Sequence, residues 1–379
     1  DSRELWIRNG LIVLQFSIAI FLIVGVLTVH GQMSYLQDKA LGFEKEQVMV
    51  IDNPGALGAG TGTFKDILRD QPGVVSVSGS TTVPGSGFSN IGYRAEGVDA
   101  GFTLNMVVCD PEYLDTMKLK MAEGRFFSRA HSTDSTAVVL NSAALDLIGW
   151  ADPIGKTISN NSDDGNVFSV IGIVEDYHYE SLHQEIRPMA LFFSGGYYVR
   201  TEGYISVRFE TGDVAGTVGR VEKAWNDFAP GMPFSYSFLD ERFDGLYRNE
   251  AQISQLFTIF SYLAIIIGCL GLFGLSAFVV DRKMKEIGIR KVLGASVAGI
   301  VRQLNKDFLK VVLVANIFAW PVAWFVMNRW LQNFAYRIDL GIWVFLISGS
   351  LVLLIALITV SFQAVKGAVA DPVESLKYE

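Results

Sequence analysis

Four stretches of this chain run for 18 residues or more without a charged side chain: 11–29, 256–280, 311–328 and 342–362. A helix rises about 1.5 Å per residue, so each is long enough to cross the roughly 30 Å hydrocarbon layer of a bilayer. Backbone polar groups must be satisfied internally in lipid, which makes helices the form these runs take there. Pro321 falls inside the third run and reads as a kink. The composition, half of it hydrophobic, agrees with a membrane protein.

Charge placement predicts the orientation. The stretch 281–310 carries Arg282, Lys283, Lys285, Arg290, Lys291, Arg302, Lys306 and Lys310 against Asp281, Glu286 and Asp307. By the positive-inside rule it is cytoplasmic. Four spans then put both termini in the cytoplasm, beside Arg3, Arg8, Lys366 and Lys377. The long stretch 30–255 lies outside and holds 17 basic and 30 acidic residues, against 14 and 9 in the remainder. An acidic exterior of this kind excludes nucleic acid as a partner. The predicted organisation is 1–29 for the N-terminus and first span, 30–255 for an extracytoplasmic domain, and 256–379 for the last three spans. The chain opens on Asp1 rather than Met, which reads as a mature fragment or a piece of a longer chain.

The outer stretch has a mixed α+β pattern. Strands are predicted at 47–52, 74–79, 204–210 and 233–238, with helices at 64–70 and 214–228 between them. Two β-α-β units of this kind suggest a ferredoxin-like or porter-like subdomain. A second lobe is read as inserted at about 111–200, with strands at 136–140 and 167–174 and a helix at 142–148. Leu239, Phe243, Leu246, Ile253, Phe257 and Phe260 recur at helical spacing and predict one long helix from 240 into the second span. That helix would stand outside the bilayer as a stalk, opposite a stripe of Val29, Met33, Leu36 and Ala40.

Sites for chemistry are scarce. Cys109 and Cys269 sit in different contexts and form neither a disulfide nor a CxxC pattern. The stretch 149–157 has five residues between its glycines where a phosphate-binding loop needs four, and Pro153 removes a backbone donor. His178 and His183, after Glu175 and Asp176, lie five apart, so on a helix they share no face for a zinc ion. This segment reads as a polar surface after a strand end. The reading requires no cofactor, no metal and no catalytic residue.

The cytoplasmic loop reads RKMKEIGIRKVLGAS at 282–296, and the chain closes with DPVESLK at 371–377. These resemble the signatures of the MacB/FtsX permease family of ABC transporters, the type VII or mechanotransmission class. Gly124–Phe127, Val139–Asn141, Asp152–Lys156 and Val170–Val174 are similar to recurring family phrases. Gln15-Phe16 and the segments after it resemble the C-terminal half of a duplicated eight-span permease. The resemblance implies a two-lobed periplasmic domain on a stalk. It implies as partners a separate cytoplasmic ABC ATPase and a second permease half, from the same chain or a homodimer. It is compatible with a further outer-membrane or periplasmic partner. ATP-driven motion would pass outward to export or release a substrate, with hydrolysis in the separate subunit.

The loop at 281–307 is the predicted coupling element. Glu286, Ile287, Gly288, Ile289, Arg290, Lys291, Leu293 and Gly294 are the candidate site residues. Ile289, Leu293, Val297, Ile300 and Leu304 make an apolar stripe that could seat in a partner's groove. The rival readings are a regulator of an external cell-wall hydrolase, a membrane-anchored sensor or binding module, and a metallohydrolase at His178 and His183.

Overall fold

A computed structural model describes residues 2–160, 166–198 and 202–369. The closing motif at 371–377 lies outside the described residues. The chain divides into two compact units, 39–248 and 1–38 with 249–379.

The outer unit begins with β1 (Val48–Asp52), α2 (Thr61–Arg69) and β2 (Val74–Ser80), following α1 (Ser2–Asp38) of the other unit. Then come β3 (Ser89–Ala95), β4 (Phe102–Cys109), α3 (Tyr113–Met117), β5 (Met121–Gly124), β6 (Ala137–Asn141), α4 (Ser142–Ile148), β7 (Thr157–Asn160), β8 (Val167–Val174) and β9 (Met189–Phe193). The unit closes with β10 (Tyr204–Phe209), α5 (Val214–Phe228), β11 (Tyr236–Phe238) and α6 (Leu239–Gly245).

Strands β11-β1-β10-β2 form an antiparallel sheet. Taken in chain order this is the 4-1-3-2 arrangement of a split βαβ fold, as the two sequence units predict. Met49, Ile51, Val77, Ile205 and Val207 share one face and meet Phe64 and Leu68 of α2 and Val221 and Trp225 of α5. Trp225 stacks edge-on to Phe64 and donates its Nε1–H to the Met232 carbonyl at 3.2 Å.

The second lobe is a ring of strands. β4, β3, β7, β8, β6 and β9 pair in that order, and the parallel β4–β9 pairing closes it. Its interior is filled by Tyr93, Leu104, Met106, Val138, Leu140, Phe168 and Phe192, with α4 contributing Ala144 and Ile148. This core draws on β3 and β4, which the stretch 111–200 leaves out. Asn141 fixes the lobe's centre. Its Oδ1 accepts from Ala144 N at 3.0 Å and Met189 N at 2.8 Å, capping α4 and holding β9. Its Nδ2 donates to Asp176 Oδ1 and the Arg187 carbonyl.

The membrane unit holds α1, α7 (Arg248–Arg282), α8 (Met284–Val292), α9 (Val297–Leu331) and α10 (Ile342–Val369). Four helices are long and apolar enough to cross a membrane. α1, α9 and α10 pack around Phe16, Ile20, Val312, Ala315, Val352 and Ala356. α7 lays Gly268, Leu272 and Leu275 against this bundle, and Gly268 leaves room for the Phe16 ring. α9 runs through Pro321 as one helix. Beyond the first apolar run, Gln32 donates to the Tyr336 carbonyl at 2.8 Å and accepts from Ile338 N at 2.9 Å.

The single helix predicted from 240 into the second span is interrupted. α6 ends at Gly245, a turn occupies 246 and 247, and α7 starts at Arg248. The cause lies in the outer unit, where Phe243 is buried against Phe43. Tyr247 accepts a hydrogen bond from Leu182 N at 2.8 Å and stacks on His183. Those contacts, next to a helix-weakening glycine, hold α6 in the outer unit's packing.

Candidate functional site

The basic loop folds as a helical hairpin, α8 followed by the first turns of α9. Gly294 ends α8 in the left-handed conformation, at φ +89°. Ala295 N reaches back to the Arg290 carbonyl at 2.9 Å, the six-to-one bond of a Schellman cap. Ser296 then starts α9, its side chain accepting from Gly299 N at 3.2 Å. The motif's Leu-Gly-Ala-Ser is therefore a stop signal, a left-handed residue and a start signal in succession.

This turn splits the stripe read from sequence. Ile287, Ile300 and Leu304 are buried together with Val280 and Ala364 and hold the hairpin closed. Ile289 is 50% exposed, Leu293 80% and Val297 36%. Three of the five stripe positions thus point outward and two inward, with Ile287 joining the inward set. The continuous 289–304 stripe is a correction: the periodicity carried over a break where the helix direction changes.

Glu286 pairs with Arg290 at 2.6 Å, one helical turn on, and Arg290 also bonds Gln303 of α9. The acid lies N-terminal to the base, the more favourable order on a helix. These two charged residues therefore brace the hairpin. Gly288 and Lys291 lie on α8 between the anchors. Ile289, Leu293 and Val297 thus form an exposed apolar patch on a charged, braced hairpin.

The segment around His178 differs from the polar surface expected. Tyr177, Tyr179 and His178 are buried, and His178 N donates to the Leu41 carbonyl at 2.7 Å. The Tyr179 hydroxyl accepts from Asn105 and donates to the Arg187 carbonyl, which lets a polar-looking sequence enter a core. His183 bonds Ser181 and stacks on Tyr247, away from any shared ligand geometry with His178. Among the described residues no group of three His, Cys, Asp or Glu could hold a metal. The 149–157 stretch is the turn from α4 to β7, with Gly149 and Gly155 at positive φ and Lys156 over the Trp150 ring.

Burial, with the Lys39 charge adding to it, pulls the His178 imidazole down from 6.5 to about 4. The folded chain therefore refuses a proton that the unfolded chain takes below 6.5. Stability is full above that value and falls as the pH drops towards 4. Partial screening by solvent reduces the effect to about 1–2 kcal/mol. The expected result is that exchange protection of β1 and β10 amides falls between pH 6.5 and 4.5 in the parent chain, and by clearly less in His178→Gln. Equal losses in both would contradict the assignment. Asp110 titrates in the opposite sense over this range, and the variant comparison removes its contribution.

Two family models match this chain: a MacB-like periplasmic core domain over residues 10–221 and an FtsX-like permease C-terminal domain over 258–368. The chain belongs to the MacB/FtsX-like permease family. It is a permease-type chain of the ABC transporter class, and the hairpin lies inside the FtsX-like region. The permease is 23% identical over 340 residues to the uncharacterized ABC transporter permease YknZ of Bacillus subtilis, covering 86% of this chain and 82% of that one. It is 22% identical over 400 residues to the macrolide export ATP-binding/permease protein MacB of Bdellovibrio bacteriovorus, covering 98% of this chain and 60% of that one. The periplasmic region of MacB from Actinobacillus actinomycetemcomitans superposes with a TM-score of 0.40 at 19% identity, covering 54% of this chain and 94% of that one.

Proposed function

We infer that this chain is the membrane permease subunit of an ABC transporter whose ATPase is a separate cytoplasmic subunit docking on the α8–α9 hairpin. The observation that carries the reading is the exposed apolar set Ile289, Leu293 and Val297, held out by a closed and braced hairpin. Motion received there passes through α7 and α1, the helices whose chain leads into the outer unit, and acts on a substrate already outside the membrane. The exposed apolar faces of α7, α9 and α10 leave room for lipid and for a second permease half. A cell-wall hydrolase regulator would use the same hairpin and outer domain, so a hydrolase copurifying in place of a transported substrate favours that reading. A sensor has no use for the hairpin patch.

Orientation is tested by labelling. Ala298 and Ser135 are both exposed, and the basic hairpin is assigned to the cytoplasm. In intact cells, Ser135→Cys is expected to react with an impermeant maleimide, and Ala298→Cys only after lysis. The reverse pattern inverts the topology and removes the hairpin from the ATPase's side. Purification from native membranes is then expected to bring down a nucleotide-binding subunit.

A further inference from the structure

Loop contacts join the two lobes of the outer unit, among them His178 N to the Leu41 carbonyl and Leu182 N to the Tyr247 hydroxyl. Their sheets connect through one residue pair, Ser80 of β2 with Cys109 of β4. The segments 80–82, 109–111 and 202–203 meet at this junction. Thr81 N donates to the Val108 carbonyl at 2.9 Å, Asp110 N to Gly79 at 3.1 Å, and Gly203 N to Ser80 at 2.9 Å. A Cβ on Gly203 would sit 2.8 Å from the Thr81 carbonyl, and one on Gly79 would collide with the Glu202 carboxylate. Glycine at 203 lets its backbone approach that of Thr81, and glycine at 79 leaves room for the Glu202 carboxylate.

A buried ion triad stands on this junction. Lys65, from α2 of the split βαβ lobe, donates to Asp110 Oδ2 at 3.0 Å and to Glu202 Oε1. Asp110 also accepts from Gly79 N at 2.7 Å. Asp110 is 1% exposed and Lys65 6%. One lysine from the first lobe therefore grips the chain at 110 and at 202, and Gly79 of β2 is tied to the same Asp110 carboxylate. Burial pushes the Asp110 carboxyl up to about 6 against the pull of Lys65, while the two carboxylates outweigh burial and keep Lys65 protonated. Buried charges of this kind are costly unless paired, so their net contribution to stability is small and their geometric contribution large.

We propose that Lys65, Asp110 and Glu202 form an ionic clamp that locks the two lobes of the outer domain into one rigid body beside the single residue pair that joins their sheets. With the clamp made, a displacement of the first lobe is delivered undiminished to the strand ring. Removing Lys65 leaves two carboxylates facing each other at the junction and frees the ring to swing.

The test uses the full chain in detergent. Cys269→Ala removes the half-exposed native thiol, and Glu222→Cys on α5 and Asp146→Cys on α4 carry spin labels, one on each lobe. The unaltered clamp is expected to give one narrow distance distribution. Lys65→Met is expected to broaden it, and to lower exchange protection at Thr81, Asp110 and Gly203 by about a hundredfold or more. Should Lys65→Met fail to fold, the triple variant Lys65→Met, Asp110→Asn, Glu202→Gln removes every buried charge. It is expected to keep the melting temperature but still broaden the distribution. A narrow, parent-like distribution in either folded variant overturns the clamp. In the unaltered chain the three junction amides are expected to exchange as slowly as β2 and β10, and loop-like exchange there overturns it as well.

Discussion

Leu293→Asp is expected to cut recruitment of the cytoplasmic ATPase by about one to two orders of magnitude without unfolding the permease. An apolar side chain desolvated at an interface contributes about 1.5–3 kcal/mol, and a buried aspartate adds its own desolvation cost. At 80% exposure Leu293 packs little against the described residues, so the hairpin tolerates the change. Ile289→Asp should behave alike. Ile287→Ala gives the contrast, because it opens a cavity in the cluster with Ile300 and Leu304 and lowers stability by about 2–5 kcal/mol. Arg302, exposed on α9, is a rim charge, and Arg302→Ala should change recruitment by about 0–1 kcal/mol. Copurification of the ATPase and transport-dependent growth, at matched membrane levels, separate these outcomes. Full recruitment by Leu293→Asp would assign the hairpin to lipid headgroups instead.

The second large effect is expected at Arg208. Its guanidinium is buried beneath the entry to β1 and holds three carbonyls: Thr116 at 2.7 Å, Glu46 at 3.1 Å and Glu44 at 2.7 Å. Arg208→Met removes all three charge-assisted bonds and leaves buried acceptors unsatisfied, for a loss of about 3–5 kcal/mol. Arg208→Lys recovers little, since one ammonium cannot reproduce the planar fork. The loss should concentrate at 43–47, where Phe209 N donates to the Gln47 carbonyl and Glu44 N to Met117. Exchange mass spectrometry on the full chain resolves this segment. Because 43–47 leads from α1 to β1, a loosened segment should also weaken coupling while leaving ATPase recruitment intact. Unchanged protection at 43–47 would show that the carbonyls find other donors.

The elements legible in the sequence share a local signal. α4 and α5 begin at the predicted residues because Asn141 and Asp213 cap them through their side chains. β8 is legible from its run of apolar and β-branched residues. The ring of strands was not legible. Its closing pair joins residues 105–109 to 189–193, some eighty positions apart, and β3 and β7 carry serine and asparagine where an alternating apolar pattern would have marked them. Helical spacing found the hairpin's apolar residues but assigned them to one face, although Gly294 already marked the break. The tyrosines around His178 misled for a related reason: a phenol counted as polar can be buried once its hydroxyl finds a partner. Lys65, Asp110 and Glu202 are spread over 138 positions and carry no spacing signal at all.

A strand with both sides paired offers nothing to a stranger. In the ring, β3, β4, β6, β7, β8 and β9 each have a neighbour on either side, so their backbone donors and acceptors cannot recruit a strand from another molecule. The open sheet beside it keeps a short edge at β11, three residues long and preceded by Pro233. Along β2 the Val77 carbonyl is taken by Arg69 and the Gly79 carbonyl by Asp110. The outer domain is thereby protected from strand exchange and aggregation with its own copies.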